Sequence, residues 1–248
     1  MPDVARRRGP HARHGEEWDR HQSSVVFATA TALGLRIPLW TETRLTAIRG
    51  RGRVETVELT DVRSGRSRNV EADTVVFTGD WIPDHELASV AAVTVDPASL
   101  GPAVDQCGAT SAAGWFAAGN LVHPAETAGI AALGGLRAGA AAAAWAGGER
   151  AALGDVAVVA LPPLQWVSPA RVTPGEPAAD RVVARTSRFV GRATVVVEQA
   201  ARPLARQRIR AAAPNRSLTI AAHWMDAVDP AAGPVVIRVE EGRTRRRR

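Results

Sequence analysis

The apolar positions along the chain change their period several times, and the changes mark out its elements. Residues 1–20 show no apolar period and are expected to form a loose or disordered arm. Residues 23–34, SSVVFATATALG, repeat apolar side chains every three or four residues and stop at Gly34, which predicts a helix closed by glycine. A short strand is expected over 35–40. Strands at 44–48 and 54–61 follow, where Val57 and Leu59 alternate with polar neighbours, and Ser64-Gly65 turns the chain into a third strand at 68–72. Residues 73–77, DTVVF, form a run of the kind buried on both faces in a central parallel strand.

Further along, Asp84 behind Pro83 predicts the N-cap of a helix over 84–90, and a strand is expected at 93–95. Residues 96–109, with Pro97, Gly101, Pro102 and Gly108, read as loop. A short apolar strand is expected at 115–118 and an Ala- and Gly-rich helix from 127 to 146, with Glu126 and Thr127 as its capping residues. After Gly147-Gly148 the pattern switches to short alternating segments at 182–186, 193–198, 204–209, 217–221 and 234–239. Turn signals at Gly191, Pro214-Asn215 and Asp229-Pro230 separate them, which predicts an all-β, sandwich-like module.

Composition narrows the function classes. A hydrophobic content of 46% supports real cores, and no stretch approaches the roughly eighteen apolar residues of a membrane span. The charged first twenty residues do not form a secretory signal, so the expected compartment is the cytoplasm, with no membrane partner. The single cysteine, Cys107, excludes an internal disulfide, a CxxC redox pair and a multi-cysteine metal site; it reads as a small buried or loop residue rather than a nucleophile. The six histidines show no metal-ligand spacing. Net charge is +6, every basic residue is Arg, and much of the excess lies in terminal runs at Arg6–Arg8, Arg243 and Arg245–Arg248. Such runs are usually solvated, and no aromatic residues interleave with these to stack bases, so nucleic acid is discounted as a partner. The Arg-only, Ala-rich usage points to a GC-rich, bacterial source.

Chemistry concentrates in two strings. Residues 110–120, TSAAGWFAAGN, place Gly114 at a turn, an apolar strand after it, and Gly119 where a backbone without Cβ can approach a ligand. Asn120 ends that strand at the carboxyl edge of a sheet, and the next helix points its amino end at the same place. Some forty residues upstream, residues 71–84 read EADTVVFTGDWIPD, with Thr78 and Gly79 after the apolar run and Pro83-Asp84 beyond.

Taken in order, the two strings resemble the flavin-binding motifs of the pyridine nucleotide-disulfide oxidoreductase and thioredoxin-reductase-like family. The resemblance covers about residues 20–147. It implies FAD and NAD(P) as cofactors, with Thr78, Gly79, Gly119 and Asn120 as cofactor-binding residues. Asn120 stands where the family carries an Asp that hydrogen-bonds the ribityl chain; an amide still accepts such a bond. The implied fold class is α/β: a partial three-layer FAD/NAD(P)-binding fold followed by a small all-β module. The expected division is a remnant of the NAD(P)-binding domain at 21–72, the carboxyl part of the FAD-binding domain at 73–148, an all-β accessory domain at 151–242 and a basic tail at 243–248.

The implied activity is hydride transfer between a nicotinamide and FAD, acting on a small-molecule substrate such as an amino acid or opine. No GxGxxG loop occurs in the chain, so it is expected to begin inside the NAD(P) domain and to bind FAD poorly alone. It then reads as a fragment, or as one half completed by a second polypeptide or a homodimer partner. The alternative is a catalytically inactive remnant serving as an interaction or scaffold protein. His123, in NLVHP, reads as a loop histidine, with tuning of a flavin as the alternative. Catalytic residues are not assigned.

Overall fold

A computed structural model of the chain describes residues 14–15, 18–20, 29–30, 33, 37–77, 82–124, 126–148, 156–177, 179–214 and 216–242. The chain divides into two compact units, Met1–Gly79 and Asp80–Arg248.

In the first unit β1 (His14–Gly15) lies parallel to β2 (Leu39–Trp40). A meander of β3 (Thr43–Arg49), β4 (Thr56–Asp61) and β5 (Ser67–Glu71) forms a three-stranded antiparallel sheet. The alternation in β4 works as the pattern requires: Val57 and Leu59 are buried on one face. The hydroxyls of Thr46, Thr60 and Ser67 bond in series at 2.9 Å across the three strands. Gly65 makes the β4–β5 turn at φ 70°, and Asp61 Oδ1 accepts the Ser64 amide at 2.6 Å and its hydroxyl at 2.7 Å.

Two expectations in this unit need comment. The helix of 23–34 falls largely outside the described residues. Residues 73–77 are not a strand: they have no regular structure, and Val76 and Phe77 are 75% and 72% exposed. An apolar run becomes a buried central strand only where neighbours on both sides accept its backbone bonds and cover its faces, and no described strand pairs with this one.

The second unit opens with α1 (Glu86–Val90), which starts two residues later than expected. Its N-cap is His85, whose ring is bonded through Nδ1 to Pro83 O at 2.9 Å, so Asp84 does not cap it. The strands expected at 93–95 and 115–118 are reduced to single bridges, Val95 with Pro102 and Ala109 with Phe116. Gly114 and Gly119 bracket the second segment with φ of 78° and 68°, left-handed conformations that an extended ladder does not tolerate. Helix α2 (Ala128–Ala146) forms as the pattern predicts; its one charged residue, Arg137, reaches Asp180 at 2.8 Å.

Eight strands follow: β6 (Val156–Ala160), β7 (Leu164–Ser168), β8 (Arg171–Val172), β9 (Arg181–Thr186), β10 (Ala193–Gln199), β11 (Arg202–Ile209), β12 (Leu218–Ala221) and β13 (Val235–Glu241). They form a five-stranded sheet ordered β11-β10-β13-β6-β8 and a three-stranded sheet ordered β12-β9-β7, antiparallel except where β13 meets β6. Both contribute to one apolar core that includes Val182, Val195, Val197, Ile220, Trp224, Val235 and Ile237, each at most 1% exposed. Fully burying each such side chain contributes roughly 1.5–3 kcal/mol before entropy is charged against it. The buried Gln199 closes one end: its amide donates to Asp229 O and Gly233 O at 2.7 Å and accepts from Asp229 N at 3.0 Å. The chain is thus built of mixed sheets with few helices, a partial α/β arrangement followed by β structure.

Candidate functional site

Within the second unit, residues 104–137 and strands β7 and β9 enclose a cleft of about 660 Å³, its open mouth included. Gly119 and His123 line it, together with Glu126, Ile130, Gly134 and Arg137 of the approach to and first turns of α2. Gly119, at φ 68°, begins a 3-10 turn (Gly119–Leu121) that swings the chain from the motif toward α2. The Asn120 side chain does not point outward for a ligand alone. Its Oδ1 accepts the Glu126 amide at 2.8 Å, stapling the loop across six residues. Thr78 and Gly79 lie outside the described residues.

Three contacts join this loop to the β strands and the residue before β12. The Glu126 side chain is 1% exposed; its Oε1 accepts a hydrogen bond from the Ser217 hydroxyl and lies 3.5 Å from His123 Nδ1. Its Oε2 has no partner among the described residues. The His123 ring stacks on buried Trp166 at 5.2 Å and 27°. The Arg185 guanidinium sits 5.1 Å from the Trp166 ring centroid and donates to Pro124 O at 3.0 Å. Thr127 holds the N-cap position of α2 as expected, although its hydroxyl makes no capping bond, and the Glu126 carboxylate does not cap the helix but turns away to Ser217.

Burial sets the electrostatics. Loss of water pushes His123 down to about 4, with the Arg185 charge adding to the effect, so the imidazole is neutral at physiological pH. Loss of water raises Glu126 above the ordinary carboxyl range, against the opposing Ser217 hydrogen bond and Arg185 charge. At 3.5 Å the His123–Glu126 contact is long for a charge-assisted hydrogen bond, and burial prevails over ion pairing at both partners.

On the other wall Asp105 is buried and raised by desolvation, but its oxygens are fully used. Oδ1 accepts the Cys107 and Ala109 amides at 2.9 and 3.0 Å, and Oδ2 accepts the Thr173 hydroxyl at 3.0 Å. Gln106 pairs with the Thr173 backbone through both ends of its amide, at 2.8 and 2.9 Å. The Cys107 thiol is pushed up to about 11 by burial and by the Asp105 charge, which leaves it a poor nucleophile. No group of three His, Cys, Asp or Glu among the described residues is arranged to hold a metal. No helix among them is long and apolar enough to cross a membrane.

Gly119, Asn120 and His123 are legible here in the sequence, but Ser217, Arg185 and Trp166 are not: they come from strands or loops 43 to 94 positions downstream of His123 and share no motif with it. Glu126 carries one signal, a lone acid two residues after Pro124 and before an Ala-rich helix, which by pattern alone points to capping.

The solved structures to which this chain is similar include thioredoxin reductases. That of T. acidophilum is 23% identical, with a TM-score of 0.47 over 55% of this chain and 44% of that one. Those of Giardia duodenalis and Gloeobacter violaceus are 21% and 25% identical, with TM-scores of 0.35 and 0.32. The chain spans less than half the length of each of them. No family model matches the chain, and no curated protein does.

Proposed function

We propose that this chain forms part of a FAD-dependent, NAD(P)-linked oxidoreductase of the thioredoxin-reductase-like kind, with the cleft at Gly119 as its share of the flavin site. The observation that carries the reading is local. The TSAAGWFAAGN string ends in a left-handed glycine that turns the backbone into the amino end of α2, beside a cleft with a neutral imidazole in its wall.

The residues fit the ring-and-ribityl end of a flavin in kind. Gly119 offers backbone without a Cβ, Val122 and Ile130 offer apolar surface, and Oε2 of Glu126 is a buried polar atom with no partner among the described residues. They supply no pyrophosphate cradle: the sequence has no GxGxxG loop, and Arg137 is taken by Asp180. Bound flavin would supply two-electron chemistry; in this chain, Gly119 and Asn120 would shape the wall against it, and His123 would present an uncharged face. Substrate, electron acceptor and a completing polypeptide belong to the same proposal, as does a cytoplasmic setting.

Titrating the full chain with FAD while following flavin fluorescence tests this. Weak but saturable quenching is expected, since the pyrophosphate is not cradled, and Gly119→Val, which forces a β-branched residue into a left-handed backbone, is expected to weaken it at least tenfold while the circular dichroism spectrum is kept. Quenching absent in the natural chain, or equal in the variant, refutes the assignment.

A further inference from the structure

The arginines of the second unit look scattered along the chain, but strand register gathers them. On β10 the odd-numbered side chains enter the core, so Thr194 and the residues paired with it, Arg208 on β11 and Glu240 on β13, stand on the opposite face. One step further along, Arg192 and Arg210 flank the end of the same strands. A groove of about 1010 Å³, open to solvent, lies there, lined by Arg192, Thr194, Arg208, Arg210, Glu240 and Glu241 among others.

The charges in this groove do not balance. Glu240 is held by Arg206 and by Arg238, the latter at 2.7 Å, and Glu241 is held by Arg188. These partners lower both carboxyls, which keeps them ionised and already neutralised. Arg192, Arg208 and Arg210 have no acidic partner among the described residues, and all three are exposed. Three positive charges therefore converge on one concave surface. Gly242 also lines it, and the sequence beyond Gly242 carries five arginines in six positions.

We propose that this groove binds the phosphodiester backbone of a nucleic-acid strand, a function separate from the flavin reading. Guanidinium groups grip phosphate oxygens with paired donors. Successive residues on one face of a strand are about 6.8 Å apart, a spacing that lets neighbouring arginines take successive phosphates. Backbone binding of this kind reads charge rather than bases and needs no aromatic platform, so the absence of aromatic residues from the terminal arginine runs does not bear on it. A lipid surface fits less well. Membrane-docking faces bury apolar side chains beside the cations, and the neighbours here are Thr194, Glu240 and a half-buried Ile209.

The test is fluorescence anisotropy of a labelled single-stranded oligonucleotide with the full chain over a salt series. The comparison is the triple variant Arg192→Gln, Arg208→Gln, Arg210→Gln, whose exposed positions leave the fold intact by circular dichroism. A fourfold rise in salt should cost the natural chain about twenty-fold more affinity than the variant, as three phosphate contacts on a single strand require. The same difference should persist when Arg243 and Arg245–Arg248 are all changed to Gln. The proposal is overturned if the natural chain does not bind, if the triple variant keeps the full salt dependence, or if the tail variant removes the difference. Binding to phosphatidylserine vesicles without binding to the oligonucleotide, or displacement by inorganic phosphate at matched ionic strength, overturns it as well.

Discussion

His123 makes the acid stability of the second unit a measurable property of one side chain. Its imidazole is 11% exposed, stacked on Trp166, and pushed from 6.5 down to about 4. The folded protein therefore binds this proton less tightly than the unfolded chain does. The stability associated with the neutral ring is complete above pH 6.5, declines as pH falls through 6.5, and is lost by about pH 4. At roughly 1.4 kcal/mol per unit, the full span is about 3 kcal/mol. Glu126 acts in the opposite sense, because a carboxyl raised by burial costs stability as pH rises past its unfolded value. Exposed carboxylates held low by arginines, such as Glu240 and Glu241, add their own acid sensitivity.

The comparison that isolates His123 is His123→Phe, which keeps a ring against Trp166 and leaves every carboxyl in place. Urea unfolding followed by circular dichroism from pH 4 to 7.5 should show the natural chain losing about 3 kcal/mol more than the variant, all of it between pH 6.5 and 4. Proton resonance of the imidazole should titrate near 4 in the folded state. Parallel stability curves for the two proteins, or an imidazole titrating at 6.5, would refute the argument.

Two further outcomes follow from the same loop. A Cβ on Gly101 would lie 2.1 Å from Val122 O and 2.5 Å from Leu121 O, backbone atoms that cannot swing aside; Gly101→Ala should cost at least about 3 kcal/mol in thermal or urea unfolding and should loosen the cleft wall. Asn120→Ala should cost about 1 kcal/mol by orphaning the Glu126 amide, whereas Asn120→Asp keeps an acceptor there but adds a negative charge near the buried Glu126 carboxyl. Asn120→Asp should therefore lose stability relative to the natural chain as rising pH ionises Glu126, as read by melting temperature over a pH series; a difference between the two proteins that does not change with pH would show that the two groups do not sense each other.

That last comparison bears on how far the chain could be read without a structure. The five segments of alternating residues after 180 appear as β9 to β13 within about two residues of the expected bounds, because each strand hides one face and the pattern records which. The same logic held for the Val57 and Leu59 face and for α2, whose start and end follow from its apolar run and closing glycines. It failed at 73–77, where burial depends on neighbours that no local pattern encodes, and at 115–118, where two left-handed glycines cut the strand short.

The sequence by itself determined β3 to β5, β9 to β13, the long helix and the motif that ends at Gly119 and Asn120, since these rest on periodicity and on backbone freedom within a few residues. Only the tertiary structure decided what surrounds that motif. Ser217, Arg185 and Trp166 gather around His123 and Glu126 because β12, β9 and β7 are neighbours in one sheet, and Arg192, Arg208 and Arg210 meet because antiparallel register aligns positions sixteen or more apart. Burial and charge are properties of what surrounds a residue. For that reason a histidine that reads as an ordinary loop residue becomes a neutral buried base, and arginines that read as ordinary surface charge become one concave cationic face.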